Sequence, residues 1–108
     1  MIRGTTPEYT LTVEGFDLTD QTVFVTVSQG VAAVTKTGSD ISVIYDGENS
    51  DIMFSLTQQD TLSLKPGKAS VQVRFIDAGG VAQATDIAEL DVGQVLLERV
   101  IAYADHSA

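Results

Sequence analysis

Val71-Gln72-Val73-Arg74-Phe75-Ile76 sets large apolar side chains at every second position, and the turn-forming run Asp77-Ala78-Gly79-Gly80 follows at once. Successive side chains of a strand point to opposite faces, so Val71, Val73 and Phe75 share one face and Gln72, Arg74 and Ile76 the other. This is the pattern of a strand with one face on a core. The same period recurs upstream. Ile52, Phe54 and Leu56 alternate with Met53, Ser55 and Thr57; Ile41, Val43 and Tyr45 with Ser42 and Ile44; Val23, Val25 and Val27 with Phe24, Thr26 and Ser28; Tyr9, Leu11 and Val13 with Thr10 and Thr12. The apolar run Val31 to Val34 follows a Gln29-Gly30 break, and a less regular stretch runs from Val81 to Val92. The total is about seven strands with turn signals at sandwich spacing, and no βαβ rhythm interrupts them. Thirteen Val, seven Ile and twelve Thr add a β-branched load that stiffens χ1 and favours the pleat.

The turns carry their own chemistry. Asp46-Gly47 suits a type I′ hairpin, whose two central residues need positive φ, and Lys65-Pro66-Gly67-Lys68 suits a type II turn with Pro second and Gly third. Thr57-Gln58-Gln59-Asp60 has capping-box spacing and predicts one helical turn crossing between two sheets. From Gln94 to Tyr103, Leu97, Val100, Ile101 and Ala104 lie at helical spacing, although Val95, Val100 and Ile101 also suit a strand. The fold expected is an all-β, immunoglobulin-like antiparallel β-sandwich of about seven strands, ending in a short C-terminal helix or docked tail.

The chain has 108 residues, with 15 acidic and 6 basic side chains, a formal charge of −9, one His and no Cys. A chain of this size hides roughly 65% of its unfolded surface, enough for one core, so residues 1–108 are expected to form one domain with an N-terminal arm at 1–7 and a tail at 94–108. No apolar run reaches the ~20 residues of a membrane span, and Met1 to Pro7 lacks the apolar stretch of a signal peptide, so a cytosolic chain is expected. Without cysteine there is no disulfide framework, thiolate zinc site or thiol nucleophile. A charge of −9 repels phosphate backbones, which sets nucleic acid aside as a partner.

Candidate chemistry is sparse. His106 stands three residues from the end, where chains fray, and a general base must be held within reach of its proton. Asp46-Gly47-Glu48-Asn49-Ser50-Asp51 crowds oxygen donors as a calcium loop would, but it lacks the alternate ligands and terminal Glu of an EF-hand, and a polar hairpin tip, the reading preferred over calcium, explains the same residues. Gly67-Lys68-Ala69-Ser70 ends like a phosphate loop, yet Leu62 stands where the first glycine belongs. Asp86, Glu89 and Asp91 read as a solvated face. No catalytic, metal or cofactor site is expected, and no enzyme activity.

Tyr9, Tyr45, Phe54 and Phe75 fall on the inward faces. Phe16, in the Gly15 to Asp20 loop, and Phe24, on an outward face, read as contact anchors. Arg3, Thr5 and Pro7 of the arm and Val95, Leu97, Val100, Ile101 and Tyr103 of the tail complete the set of expected interface residues, because an exposed apolar tail is adhesive unless it is covered.

Ile2-Arg3-Gly4-Thr5-Thr6-Pro7 followed by Tyr9-Thr10-Leu11-Thr12-Val13, then Leu56 to Leu62, Pro66-Gly67 and Val71-Gln72-Val73-Arg74, resembles a family of small proteins encoded in tailed phages and prophages of Gram-positive bacteria. In outline the chain is also similar to the N-terminal β-sandwich of phage upper baseplate proteins. The tail from Ala102 to Ala108 is longer than the family pattern. The resemblance implies a virion structural or assembly protein, a head decoration, connector or tail component made in the host cytoplasm. It implies contacts with further copies or other virion proteins and no catalytic residues. The competing expectation is a non-catalytic binding module for carbohydrate or a cell-surface ligand.

Overall fold

The computed structural model describes residues 1–103, so His106 and the end of the 94–108 tail lie outside the described residues. The elements in order are β1 (Glu8–Glu14), β2 (Thr22–Gln29), β3 (Ala32–Thr37), a 3-10 turn (Gly38–Asp40), β4 (Ile41–Tyr45), β5 (Asn49–Ser55), α1 (Gln58–Leu62), β6 (Gly67–Ile76), β7 (Ala82–Ala84) and β8 (Ala88–Val92). They form two antiparallel sheets. One has the order β1-β5-β4, and the other runs β3-β2-β6 with β7 and β8 both pairing on the far side of β6. In immunoglobulin lettering these orders correspond to B-E-D and C′-C-F-G, and the two packed antiparallel sheets are the all-β sandwich expected from the sequence.

The core lies between the inner faces. Val23, Val25 and Val27 of β2 stand level with Phe75, Val73 and Val71 of β6, and Ile52 and Phe54 of β5 close over them from the other sheet. Each such side chain taken from water contributes about 1.5–3 kcal/mol, which makes this cluster the main source of stability. α1 crosses from one sheet to the other. Its capping box is complete: Asp60 N–H donates to Thr57 Oγ1 at 3.1 Å and Thr57 N–H donates to the Asp60 carboxylate at 2.9 Å.

The structure departs from the sequence reading at four places. Val31 is fully exposed in the β2–β3 turn, because Gln29 pairs with Ala32 and leaves Gly30-Val31 as the two-residue link; only Gly30 has positive φ, the pattern of a type II′ turn. The Asp46-Gly47 turn is also not type I′. Only Gly47 has positive φ, and Asp46 Oδ1 accepts from the backbone N–H groups of Glu48 and Asn49, an Asx arrangement at the hairpin tip. The stretch from Val81 to Val92 is two strands in line, separated where Thr85 Oγ1 accepts from Val73 N–H in place of a backbone carbonyl. The fourth departure exchanges two aromatics. Tyr45 is exposed, while Phe16 is half-buried with its ring 5.2 Å from that of Phe75. The β1–β2 loop folds over the end of the core, pinned by Ser50. The fully buried Ser50 hydroxyl donates to Phe16 C=O at 2.7 Å and accepts from Leu18 N–H at 3.0 Å. Leu18 is thereby fully buried in the core, and Phe16 packs against it.

Candidate interaction surface

The arm, α1 and the tail meet at the end of the sandwich where β8 finishes. Arm residue Ile2 bridges Gly93 in parallel, with Arg3 N–H donating to Gly93 C=O at 3.0 Å and Gly93 N–H donating to Met1 C=O at 2.6 Å. The arm thus continues the sheet edge of its own chain. Buried Thr61 on α1 accepts from Gly4 N–H at 2.8 Å and donates to Thr5 C=O at 2.9 Å, which ties arm to helix. Gly4 has φ +78°, a conformation that a side chain would strain, and a Cβ there would also stand 3.5 Å from Leu62 and 3.7 Å from Val95. Val95 is accordingly half-buried over this junction.

Arg3 is largely buried. Its guanidinium donates to the C=O groups of Leu62 and Leu64 and forms an ion pair with Glu98. A planar fork with several fixed donors suits two carbonyls and a carboxylate at once, a task that lysine performs poorly. A second fastening lies further along. Gln58 Nε2 donates to Ile101 C=O and Ile101 N–H donates to Gln58 Oε1, each at 2.7 Å, so one amide side chain satisfies both backbone groups as a neighbouring strand would.

Between and beyond these clips, residues 94–102 contain no strand or helix, so this part of the tail is neither of the elements its spacing suits and runs as an irregular strap; residues 104–108 of the expected tail lie outside the described residues. The strap leaves its apolar side chains outward: Leu96 is 96% exposed, Leu97 54%, Val100 48%, Ile101 49% and Tyr103 92%. An apolar segment clipped down by polar groups, with most of its hydrocarbon in water, is unusual for a surface at rest.

Ion pairs brace the neighbourhood. Lys36 on β3 meets Asp60 at 2.7 Å. Burial pushes the Asp60 carboxyl up, but the Lys36 hydrogen bond, the Thr57 contacts and the Lys36 charge together outweigh it and hold the group below its usual 3.8. Lys68 and Asp91 pair across β6 and β8; that bond raises the Lys68 pKa and lowers that of Asp91.

Of the residues singled out in the sequence, Arg3, Val95, Leu97, Val100 and Ile101 come together at this end. Thr5 donates to Ile2 C=O within the arm, whereas Pro7 C=O accepts from Leu56 N–H and ties the end of the arm to the residue after β5. Phe24 is exposed on the outer face of β2, level with Arg74, away from the strap. Phe16 sits at the opposite end, half-buried and packed against the core rather than standing as an exposed anchor. Gln58, Thr61 and Leu96 belong to the junction and escaped sequence reasoning. The only signal for Gln58 was its place in a helical turn, and nothing local shows what an amide will hold 43 residues away.

Among the described residues no three His, Cys, Asp or Glu side chains group as metal ligands. The carboxylates of Asp17 and Asp46 are engaged by their own loops, by Thr19 in the first case and by the Asn49 and Glu48 N–H groups in the second, and both sit below the usual carboxylate value. A depression of about 480 Å³ beside the β2–β3 turn is lined by Gln29, Val31, Lys65 and Pro66, and the Gln29 amide spans Lys65 and Lys68 as a loop brace. No family model matches the chain, and no curated protein matches it.

Proposed function

We propose that this protein is a structural or assembly component of a tailed phage or prophage particle, acting through protein–protein contacts rather than catalysis. The observation that carries the contact role is the strap. Gln58 and Arg3 fasten it by polar groups while Leu96, Leu97, Val100, Ile101 and Tyr103 face outward. A rigid sandwich of this kind holds an apolar strip in a fixed orientation, which repeated, symmetric contacts in a particle require. The phage assignment rests on the resemblance of the arm, the α1 segment and β6 to the phage-encoded family. A charge of −9 favours solubility before assembly.

The test of the particle role is mass spectrometry of purified particles from a strain that encodes the chain. The expected result is the chain at fixed stoichiometry with capsid and tail proteins; its absence from intact particles overturns the reading. Portal, capsid or tail genes beside its gene are the expected neighbourhood. Deleting residues 95–108 tests the strap and is expected to change the mass of any assembly measured by light scattering. A glycan array addresses the competing class: reproducible sugar binding abolished by Phe24→Ala would favour a carbohydrate module instead.

A further inference from the structure

We infer that the partner of the strap is a second copy of this chain, the two straps meeting across a two-fold axis. The inference rests on the contact role proposed above and names its occupant. Charge selects that occupant. Residues 8–91 carry 13 acidic and 4 basic side chains, whereas residues 1–7 carry only Arg3 and residues 92–103 only Glu98 and Arg99. Two identical anionic chains repel each other over most of their surface and meet at least cost where like charge is absent. Among the described residues the strap itself carries one carboxylate, Glu98, and Arg3 pairs with it, while Asp60 on the adjoining α1 is paired with Lys36. A basic partner would gain more against the acid-rich remainder of the molecule than against this strip. An apolar, nearly uncharged partner fits, and the same strip on another copy has that character, as an isologous contact demands.

The fastenings suit the role. Gln58 occupies the backbone groups of Ile101 and Arg3 holds Glu98, so the strap backbone is fixed before any partner arrives and less ordering cost falls on association. One strap per copy offers less than the roughly 800 Å² per partner of a full-sized interface, so the dimer is expected to be weak, with a Kd on the order of micromolar.

Sedimentation velocity of the intact chain at rising concentration tests this. The mass is expected to climb from 11.5 kDa toward double that value. Leu97→Asp and Ile101→Asp, at exposed positions, are expected to hold it at the monomer value with an unchanged melting curve, while Ile44→Asp, on the exposed face of β4, leaves the dimer intact. The chain lacks cysteine, so Leu96→Cys provides a second readout: across a two-fold axis, oxidation is expected to trap a covalent dimer. A monomer at every concentration, or a dimer that survives both Asp variants, overturns the inference. A monomer in solution that is nevertheless found in purified particles overturns this inference alone; a strap dimer absent from particles overturns the phage reading and leaves this one standing.

Discussion

Four of the five residues in 23–27 and five of the seven in 95–101 are apolar, yet the first stretch forms the centre of the molecule and the second lies on its surface. In β2, Val23, Val25 and Val27 are buried because hydrogen-bonded neighbours flank the strand on both sides, β3 and β6, and the other sheet covers its inner face. The strap has no ladder of its own. Two side-chain clips, from Arg3 and Gln58, position its backbone, and Leu96, Leu97, Val100 and Ile101 stay largely in water. Hydrocarbon content therefore does not decide burial; what decides it is whether the backbone beneath the side chains is satisfied in a sheet with a second layer above.

Truncations on the two sides of that comparison should differ by several-fold. Ile52→Ala, at a fully buried site of β5, is expected to cost about 2–5 kcal/mol, a large share of the 5–15 kcal/mol typical of a domain, as read by urea denaturation. Next comes the polar pin of the core. Ser50→Ala strands the Leu18 N–H and the Phe16 carbonyl and is expected to cost about 1–3 kcal/mol, with the Phe16 loop gaining hydrogen exchange before the sheets do. Thr57→Ala removes the cap of α1 and is expected to cost about 1 kcal/mol, and it should also speed exchange at Ile101 N–H, which the neighbouring Gln58 holds.

Acid adds a prediction with a definite sign. Because folding lowers the Asp60 pKa, the unfolded chain binds this proton more readily, so the contribution of Asp60 is present above the ordinary carboxylate value and is lost as pH falls through the lowered one. Asp60→Asn is expected to flatten the acid limb of stability below about pH 4 and leave its slope near neutrality unchanged, measured by melting temperature against pH. The smallest effect falls on the strap: Leu97→Ser is expected to change monomer stability by no more than about 0.5 kcal/mol. A larger loss would show that the strap belongs to the core and would collapse the contrast drawn above.

Particular elements show how far the sequence could be read. The alternation of Val71, Val73 and Phe75 located β6, and the Thr57 to Asp60 spacing located α1 with its capping box, because both patterns are local and repeat a fixed geometry. Tyr45, which alternation places inward, is exposed, and Phe16, a loop contact anchor by its sequence, is half-buried. Alternation carries Tyr45 inward, but the strand ends there and the β1–β2 loop, pinned by Ser50, brings Phe16 over the core instead. At the junction, Arg3 was legible as a distinctive residue in an arm, whereas its two carbonyl acceptors near position 63 and its carboxylate at position 98 were not.

By itself, the order of residues determined the strands, the period that gives each an inner face, the helical turn and the strongly anionic character, since each depends on neighbours within a few positions or on composition alone. Tertiary structure alone decided that the arm turns back onto the end of β8, that Phe16 packs against the core, and that a strap is clipped down with its leucines outward. Those outcomes depend on hydrogen bonds between residues tens of positions apart, whose meeting is set by how two sheets stack and not by any spacing along the chain.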